Sequence, residues 1–238
     1  MCSVPGLEAP LAVFERSSLA DASDAYIRGK RSVDPFGQIL WPAASAASAA
    51  LVELAYSNTR GLGAFQIIEA GAGLGLCSLT AARLSASRVI ATDASDEALT
   101  RVATAALAQN LKLECRGWDF IACEWAFEDP PGGALDVPRE ELLVAADVLY
   151  SEELADALAL RCVQVCRRGG RALVADSVGI YTRRFESALR SLAPELAAAS
   201  TLLVLPGWMA VPVAAADTTR RYDAEVEVLR IGGAWSDV

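Results

Sequence analysis

The run Glu69-Ala70-Gly71-Ala72-Gly73-Leu74-Gly75 joins an apolar segment with the pattern of a buried strand to a segment with the pattern of a helix. Glycines at such a junction allow a tight turn and leave the backbone open to a ligand. A dinucleotide-binding loop would have the spacing GxGxxG or GxGxxA, but Leu76 occupies the place of the third small residue. The spacing is therefore GxGxG, which disfavours NAD as the ligand.

An acidic residue follows at the end of the next predicted strand. Asp93 comes about 20 residues after the loop, where a carboxylate can accept hydrogen bonds from both hydroxyls of a ribose. Because strand, glycine loop, helix, strand and acid occur in this order, we predict a ligand of the adenosine type at the carboxyl ends of the strands. The alternative is a plain glycine turn with an aspartate at the surface.

Apolar segments with the length of strands alternate with helical patterns on both sides of the loop. Strands are predicted at 64–70, 88–92, 111–115, 141–147, 171–175, 201–205 and 224–231, and helices at 42–56, 75–84, 95–109, 151–166 and 182–192. Continuous apolar strands with helices between them are typical of a parallel sheet that is covered on both faces. We therefore predict an α/β fold with a doubly wound, mostly parallel sheet of seven strands.

Three parts of the chain fall outside this alternation. Residues 116–140, with Pro130-Pro131-Gly132-Gly133, and residues 206–223 are expected to be irregular connections. We expect residues 1–40 to form an N-terminal extension packed on the core of a single domain that covers residues 41–238.

The composition excludes several kinds of chemistry. Of 238 residues, 21 are Lys or Arg and 30 are Asp or Glu, giving a net charge of -9 without a basic patch for a nucleic acid. The chain has no histidine, which excludes a Ser-His-Asp triad, a Cys-His dyad and most zinc sites. We expect neither a nucleic-acid partner nor a metal site, so the chemistry must come from carboxylates, phenols, thiols or a cofactor.

The cysteines and the most apolar stretch bear on the compartment. The six cysteines include no CxxC pair, which favours reduced thiols in a cytosol-like compartment over a disulfide framework or a zinc ribbon. Residues 201–216 are interrupted by prolines and a glycine, and they fall short of the roughly 20 apolar residues that span a bilayer. We expect a cytoplasmic protein without a membrane span, with an organellar address as the alternative.

Four motifs occur in order along the chain. Gly37-Gln38-Ile39-Leu40-Trp41-Pro42-Ala43-Ala44 precedes the first strand, the glycine loop lies within residues 68–76, Trp118 follows the third strand, and Asp147-Val148-Leu149-Tyr150 follows the fourth. Together they resemble the family 16 protein-lysine methyltransferases, a branch of the seven-strand, Rossmann-like S-adenosylmethionine-dependent methyltransferases. That branch carries a "G..LW.AA" segment, a tryptophan and an acid-x-x-aromatic motif at these places. The resemblance covers residues 36–176.

The resemblance implies S-adenosylmethionine as the cofactor and gives roles to ten residues. Those implied to bind the cofactor are Trp41, Glu69, Gly71, Ala72, Gly73, Asp93, Trp118 and Ala146. Among them, Asp93 would hold the ribose and Ala146 would offer only its backbone. Asp147 and Tyr150 are implied to be catalytic, because they would hold a lysine ammonium near the methyl group until it loses a proton. Ordinary packing is the alternative for the two tryptophans, and a structural carboxylate and phenol for the catalytic pair.

The leading hypothesis is a protein N-methyltransferase that acts on lysine. An acidic surface suits a protein substrate with a basic or lysine-bearing segment. One alternative is a small-molecule methyltransferase, since a fold does not fix its substrate. The other is a catalytically silent methyltransferase-like subunit with a stable partner in a larger assembly. Trp208 and Tyr222 are expected to pack rather than to contact the substrate.

Overall fold

The computed structural model describes residues 1–15, 36–122, 140–212, 219–233 and 235, and its strands form one sheet. The strands are β1 (Phe65–Ala70), β2 (Arg88–Asp93), β3 (Glu114–Gly117), β4 (Glu140–Ala146), β5 (Arg171–Asp176), β6 (Thr201–Pro212) and β7 (Thr219–Ile231). The helices are α1 (Pro42–Ser57), α2 (Leu76–Arg83), α3 (Asp96–Ala108), α4 (Glu152–Arg167), α5 (Thr182–Leu192) and α6 (Pro194–Ala199), with short 3-10 helices at Phe36–Gln38 and Gly61–Ala64.

The strand order is β3-β2-β1-β4-β5-β7-β6. Strands β1 to β5 are parallel, whereas β7 is antiparallel to both of its neighbours, β5 and β6. The order reverses at β1 and β4, which places the carboxyl ends of these strands at the point where α/β sheets bind ligands. The predicted α/β fold with a mostly parallel, seven-stranded sheet is confirmed.

Both faces of the sheet are covered by helices, and neighbouring isoleucines of β1 pack on the two sides. Ile67 belongs to a buried cluster with Leu51 of α1 and Cys77 of α2, and the adjacent Ile68 belongs to another with Leu158 of α4. Successive residues of a strand point to opposite faces, so a central strand with helices on both sides is buried at every position. All six residues of β1 are buried.

Serine side chains define where two of the helices begin. The Ser95 Oγ accepts a hydrogen bond from the Ala98 N–H at 3.3 Å, and the Ser151 Oγ accepts one from the Leu154 N–H at 3.2 Å. Each side chain satisfies an amide at a helix end that has no partner within the helix. Both helices therefore begin directly after a loop at the carboxyl edge of the sheet.

The third strand lies three residues later than predicted at its start, at Glu114 instead of Leu111. Asn110 has a φ of 54°, and the Leu111 N–H donates to the Ala106 carbonyl at 2.9 Å. This is the hydrogen bond that closes a helix whose last residue turns left-handed. Leu111 therefore closes the C-terminal end of α3 and does not start a strand. Arg116 and Gly117, which were predicted to be irregular, pair with β2.

The expected irregular connection at 206–223 is wrong over most of its length. β6 and β7 stay paired from Leu205 opposite Val226 to Pro212 opposite Thr219. Proline removes a backbone donor, but β6 lies at the edge of the sheet, where its outer N–H groups need no strand partner. Of the other expected irregular connection, residues 123–139 lie outside the described residues.

The described N-terminal residues are tied to α3 and to the start of α1. Cys2 and Leu11 exchange two backbone hydrogen bonds, at 2.6 and 2.8 Å. The Gln109 side chain bonds both the N–H and the carbonyl of Ala12, each at 2.9 Å. The division of the chain into an extension and a domain at residue 40 stays a prediction.

The described cysteines, Cys2, Cys77, Cys115, Cys162 and Cys166, all have free thiols. In the described parts of the chain, no group of three or more Cys, Asp or Glu side chains could hold a metal ion. Among the described helices, none combines the length and the apolar character needed to cross a membrane.

Candidate functional site

A cleft of about 1040 Å³ opens at the carboxyl ends of the parallel strands. Its walls come from the segment before α1 and from the loops that follow the five parallel strands, β1 to β5. All ten residues singled out from the sequence line it: Trp41, Glu69, Gly71, Ala72, Gly73, Asp93, Trp118, Ala146, Asp147 and Tyr150. The fold thus brings residues that are up to 109 positions apart, from Trp41 to Tyr150, into one site.

The glycine loop owes its spacing to close contacts. Gly71 has a φ of 65°, and a Cβ atom there would lie 2.6 Å from Val148 Cγ1. Gly75 precedes α2 with a φ of 71°, and a Cβ atom there would lie 2.7 Å from the Val102 methyl groups. Both positions reject any larger residue, because the backbone is left-handed and the space is filled. The third glycine of GxGxG, Gly75, is therefore required by the packing at the start of α2.

Asp93 holds this loop against the next helix. One carboxylate oxygen, Oδ2, accepts the Gly73 N–H at 2.9 Å, and the other, Oδ1, accepts the Ser95 N–H at 2.8 Å. The Asp93 backbone carbonyl accepts a hydrogen bond from the backbone N–H of Trp118 at 3.0 Å. Asp93 is half-buried, and it positions the glycine loop, the start of α3 and the segment after β3 around the cleft.

Glu69 lies at the floor of the cleft and is only 2% exposed. Its Oε2 accepts the N–H and the hydroxyl of Ser78, at 2.8 and 2.5 Å, in the first turn of α2. Burial raises the pKa of Glu69 to about 7, although the hydrogen bonds from Ser78 oppose the shift. This carboxyl group therefore exchanges its proton near neutral pH.

Asp147 joins three segments of the chain. The Ala43 N–H at the start of α1 donates to Oδ2 at 2.9 Å, the Ser177 N–H donates to Oδ1 at 2.7 Å, and the Ser177 hydroxyl lies 2.8 and 2.9 Å from the two oxygens. Asp147 adopts a φ of 53°, which is rare outside glycine. Burial raises the pKa of its carboxyl group, and the same hydrogen bonds act against that shift.

The aromatic residues differ in exposure. Trp118 is 7% exposed, and its ring centroid lies 5.8 Å from that of Phe120. Trp41 is half-buried at the start of α1, whereas Tyr150 is 60% exposed at the opening. The three rings thus extend from the interior of the cleft to its mouth. Ala146, at the end of β4, is half-buried.

The two residues near the C-terminus that were expected to pack behave differently. The backbone N–H of Trp208 donates to the Ser45 hydroxyl at 2.8 Å, and the half-buried indole of Trp208 packs against a buried cluster. Tyr222 is 56% exposed, so the prediction that it packs is wrong. It lies on β7 opposite Met209 and does not line the cleft.

Sequence reasoning missed the residues that hold the predicted ones in place. Ser177 is 30 residues after Asp147, and Ala43 is 104 residues before it. Ala43 acts through its backbone N–H, which leaves no trace in the side-chain pattern. Ser177 directly follows β5, and the rule that strand ends gather at one edge could have made it a candidate.

The charge of the cleft is of one sign. Six carboxyl side chains line it, those of Glu69, Asp93, Asp96, Glu97, Asp119 and Asp147, while no Lys or Arg is among its described lining residues. A cleft with carboxylates alone concentrates cations.

Comparison with known proteins gives one family. The sequence model of a family described as lysine methyltransferase matches residues 24–178. A search of curated proteins finds no match.

Several solved structures have a similar fold. A proposed RNA methyltransferase from Pyrococcus horikoshii aligns with a TM-score of 0.54 at 14% identity, over 90% of this chain and 98% of that chain. A ribosomal protein L11 methylase from Lactobacillus delbrueckii subsp. bulgaricus aligns with a TM-score of 0.50 at 17% identity, over 79% and 77%. A precorrin 8W decarboxylase from Methanobacterium thermoautotrophicum aligns with a TM-score of 0.50 at 16% identity, over 82% and 94%. At these identities the likeness shows the fold alone.

Proposed function

The chain belongs to the lysine methyltransferase family and uses S-adenosylmethionine as methyl donor, and from this premise we propose that it methylates the side-chain amine of a lysine in a protein substrate. The family model covers 155 of the 238 residues, counted from 24 to 178, and that stretch contains every residue of the predicted site. We further propose that it works in the cytoplasm, which fits with the free thiols of the described cysteines.

The residues of the cleft fit S-adenosylmethionine. Side chains are absent where Gly71 and Gly73 form the wall, and the cleft volume of about 1040 Å³ accommodates a ligand of that size. Glu69 and the glycine loop would hold the methionine end, and Asp93 the ribose. Trp41, Trp118 and the backbone of Ala146, which also line the cleft, would enclose the rest of the cofactor. The carboxylates suit the positive charge of the sulfonium.

The bound cofactor supplies a methyl group that is already activated by a positively charged sulfur, so a strong base is not needed at the site. The protein must hold the amine in line with the methyl group and exclude water. Tyr150 presents an exposed ring face at the opening, which can attract a lysine ammonium by a cation-π contact. The negative charge of Asp147 would favour the ammonium there, and the lysine would lose its proton to solvent before the transfer.

One observation carries the choice of a lysine substrate over a neutral or anionic one: carboxylates are the only charged side chains in the described lining of the cleft. An anionic substrate such as a nucleic acid would meet repulsion from each of them. A lysine side chain brings a cation on a flexible stem of four carbons, which can reach the interior past Tyr150.

Methyl transfer in a cell extract tests the proposal. The purified protein and S-adenosylmethionine with a labelled methyl group are added to extract, and the labelled residue is identified by mass spectrometry. We expect the label on lysine in a protein band. Label in RNA or in the small-molecule fraction alone would contradict the proposal, as would fixed-ratio copurification with a large complex without any transfer.

Asp93→Ala is the matched variant for this experiment. It removes both hydrogen bonds that the carboxylate accepts, and we expect loss of cofactor binding by calorimetry together with loss of transfer. Asp223→Ala, on β7 and outside the lining of the cleft, is the control and should bind and transfer as the parent does.

A further inference from the structure

We propose that four exposed apolar side chains at the opening of the cleft, those of Ile121, Tyr150, Val178 and Ile180, form a binding surface for a large apolar side chain next to the methylated lysine. We call this surface the apolar rim. The inference rests on the proposed function and narrows its substrate class. The target is then a lysine in an apolar sequence context, not one within a run of basic residues.

The four side chains come from three different loops. Ile121 follows β3, Tyr150 follows β4, and Val178 and Ile180 follow β5. They are 44%, 60%, 52% and 64% exposed, respectively, and all but Ile180 line the cleft. Single exposed apolar residues are ordinary on a protein surface, but a group of them at the mouth of a binding cleft indicates a contact surface.

The loop after β5 is held by hydrogen bonds to the last residue of the strand. The Asp176 carboxylate accepts the N–H groups of Val178 and Gly179, at 3.3 and 3.1 Å, and also the Thr182 hydroxyl. These bonds fix the backbone of the loop that carries Val178 and Ile180, whose side chains are exposed. A surface that is ordered before binding loses little conformational entropy when a partner docks.

The segment after β3 is also held by hydrogen bonds. The Asp119 Oδ1 accepts the Ile121 N–H at 3.0 Å, and the guanidinium of the buried Arg161 donates to the Phe120 carbonyl at 3.1 Å. Ile121 thus lies on a hydrogen-bonded turn, and it lines the same cleft as Val178 of the β5 loop. Two loops that are each held by hydrogen bonds give the rim a defined shape.

The charges around the rim bear on the choice between an apolar and a basic neighbour of the lysine. The carboxylates that belong to the rim loops, Asp119 and Asp176, already accept hydrogen bonds from their own loops. The carboxylates of Asp96 and Glu97 line the cleft from the start of α3, which follows β2. Two further carboxylates, those of Glu152 and Glu153, lie two and three residues after Tyr150. They support the rival choice of a basic neighbour, and the experiment below distinguishes the two choices.

A peptide library with one central lysine tests the proposal. Each position from three before to three after the lysine carries Leu, Ser or Arg in a Gly-Ser background, and transfer from labelled S-adenosylmethionine is measured with the full-length protein. Burying one leucine side chain contributes about 1.5 to 3 kcal/mol, so we expect kcat/KM for Leu to exceed that for Ser by about tenfold or more in at least one position.

Two rim variants and one control locate the effect. Val178→Ser and Ile180→Ser should lose most of the preference for Leu while they bind the cofactor as tightly as the parent in calorimetry. Val204→Ser changes a valine of β6 that is 60% exposed and away from the cleft, and it should keep the full preference. Lysine methylation that is indifferent to the neighbour, or that favours Arg, overturns the rim alone. No transfer to any lysine peptide, with transfer to RNA or a small molecule, overturns the proposed function and the rim with it.

Discussion

At the scale of single residues, the hydrogen bonds of Asp147 explain how a predicted catalytic carboxylate also has a structural task. Its two oxygens accept hydrogen bonds from the backbone N–H groups of Ala43 and Ser177 and from the hydroxyl of Ser177. The acid-x-x-aromatic motif made Asp147 visible in the sequence, but its partners lie far away along the chain. A side chain that acts through tertiary contacts becomes visible only when the fold is known.

Ser177→Ala should destabilise the protein and slow methyl transfer. The substitution removes the hydroxyl shared by the two oxygens of a partly buried carboxylate, a loss of about 1 to 2 kcal/mol in the free energy of unfolding. Because Asp147 is then held less firmly, kcat should fall while the affinity for cofactor stays. Urea unfolding and steady-state kinetics provide the measurements.

Ser191→Ala is the matched control, since the exposed Ser191 hydroxyl donates to the Ser187 carbonyl within α5. We expect a change below about 0.5 kcal/mol and unchanged kinetics for it. Equal stability of the Ser177 and Ser191 variants would show that the hydroxyl of Ser177 does not support Asp147.

Glu69 gives a second prediction at this scale, for the dependence of stability on pH. Its pKa in the folded protein is about 7, above that of an ordinary glutamate. Between these two values the folded state binds the proton that the unfolded state has released, so the free energy of unfolding falls as the pH rises towards 7. Glu69 then lowers the free energy of unfolding by up to about 3 kcal/mol as the pH rises through this range.

Glu69→Gln removes the ionisable group and should flatten this part of the curve. Chemical unfolding of parent and variant between pH 4.5 and pH 8 measures the difference, which should grow in favour of the variant as the pH rises. Parallel curves for the two proteins would contradict a raised pKa at Glu69.

At the scale of elements, helices and central strands were predictable because their patterns are local, and the two misplaced regions show the limit. The start of β3 depends on Asn110 turning left-handed after α3, which the apolar pattern of residues 111–115 cannot reveal. The length of β6 depends on its place at the edge of the sheet, where Pro206 and Pro212 are tolerated. The first case depends on a backbone conformation and the second on a position in the sheet, and neither is visible in the apolar pattern.

The hairpin of β6 and β7 packs on the start of α1, and Gly207→Ala tests that contact. A Cβ atom at Gly207 would lie 2.5 Å from the Pro42 carbonyl oxygen and 2.5 Å from Val226 Cγ2. The hairpin or α1 must then move, and Trp41, which lines the cleft, directly precedes α1. We expect loss of about 1 to 3 kcal/mol of stability and weaker cofactor binding, measured by unfolding and calorimetry.

Gly63→Ala is the control for this change. A Cβ atom there would lie 3.8 Å from the Ser85 carbonyl oxygen, which is an ordinary contact. Similar losses for both variants would mean that the close approach at Gly207 does not matter for the cleft.

At the scale of the whole molecule, the cleft was predictable because parallel strands align their carboxyl ends, so residues that end strands meet irrespective of their distance in the chain. Glu69, Asp93 and Asp147 each lie in the last two positions of a strand or directly after one. The strand pattern does not predict the proposed apolar rim, because its exposed side chains lie in loops and carry no periodicity.

A ligand that binds only the folded protein must raise its thermal stability by mass action, which links the glycine loop to the whole fold. At a concentration 100 times its Kd, S-adenosylmethionine should add about 2.7 kcal/mol, which corresponds to a rise in Tm of about 5 to 10 °C for a chain of this size. NAD at the same concentration should leave the Tm unchanged, because Leu76 replaces the third small residue of a dinucleotide loop. Differential scanning fluorimetry compares the two ligands directly. A rise with NAD and none with S-adenosylmethionine would refute the assignment of the cleft, since the GxGxG loop, Asp93 and the six carboxylates would then serve a different ligand.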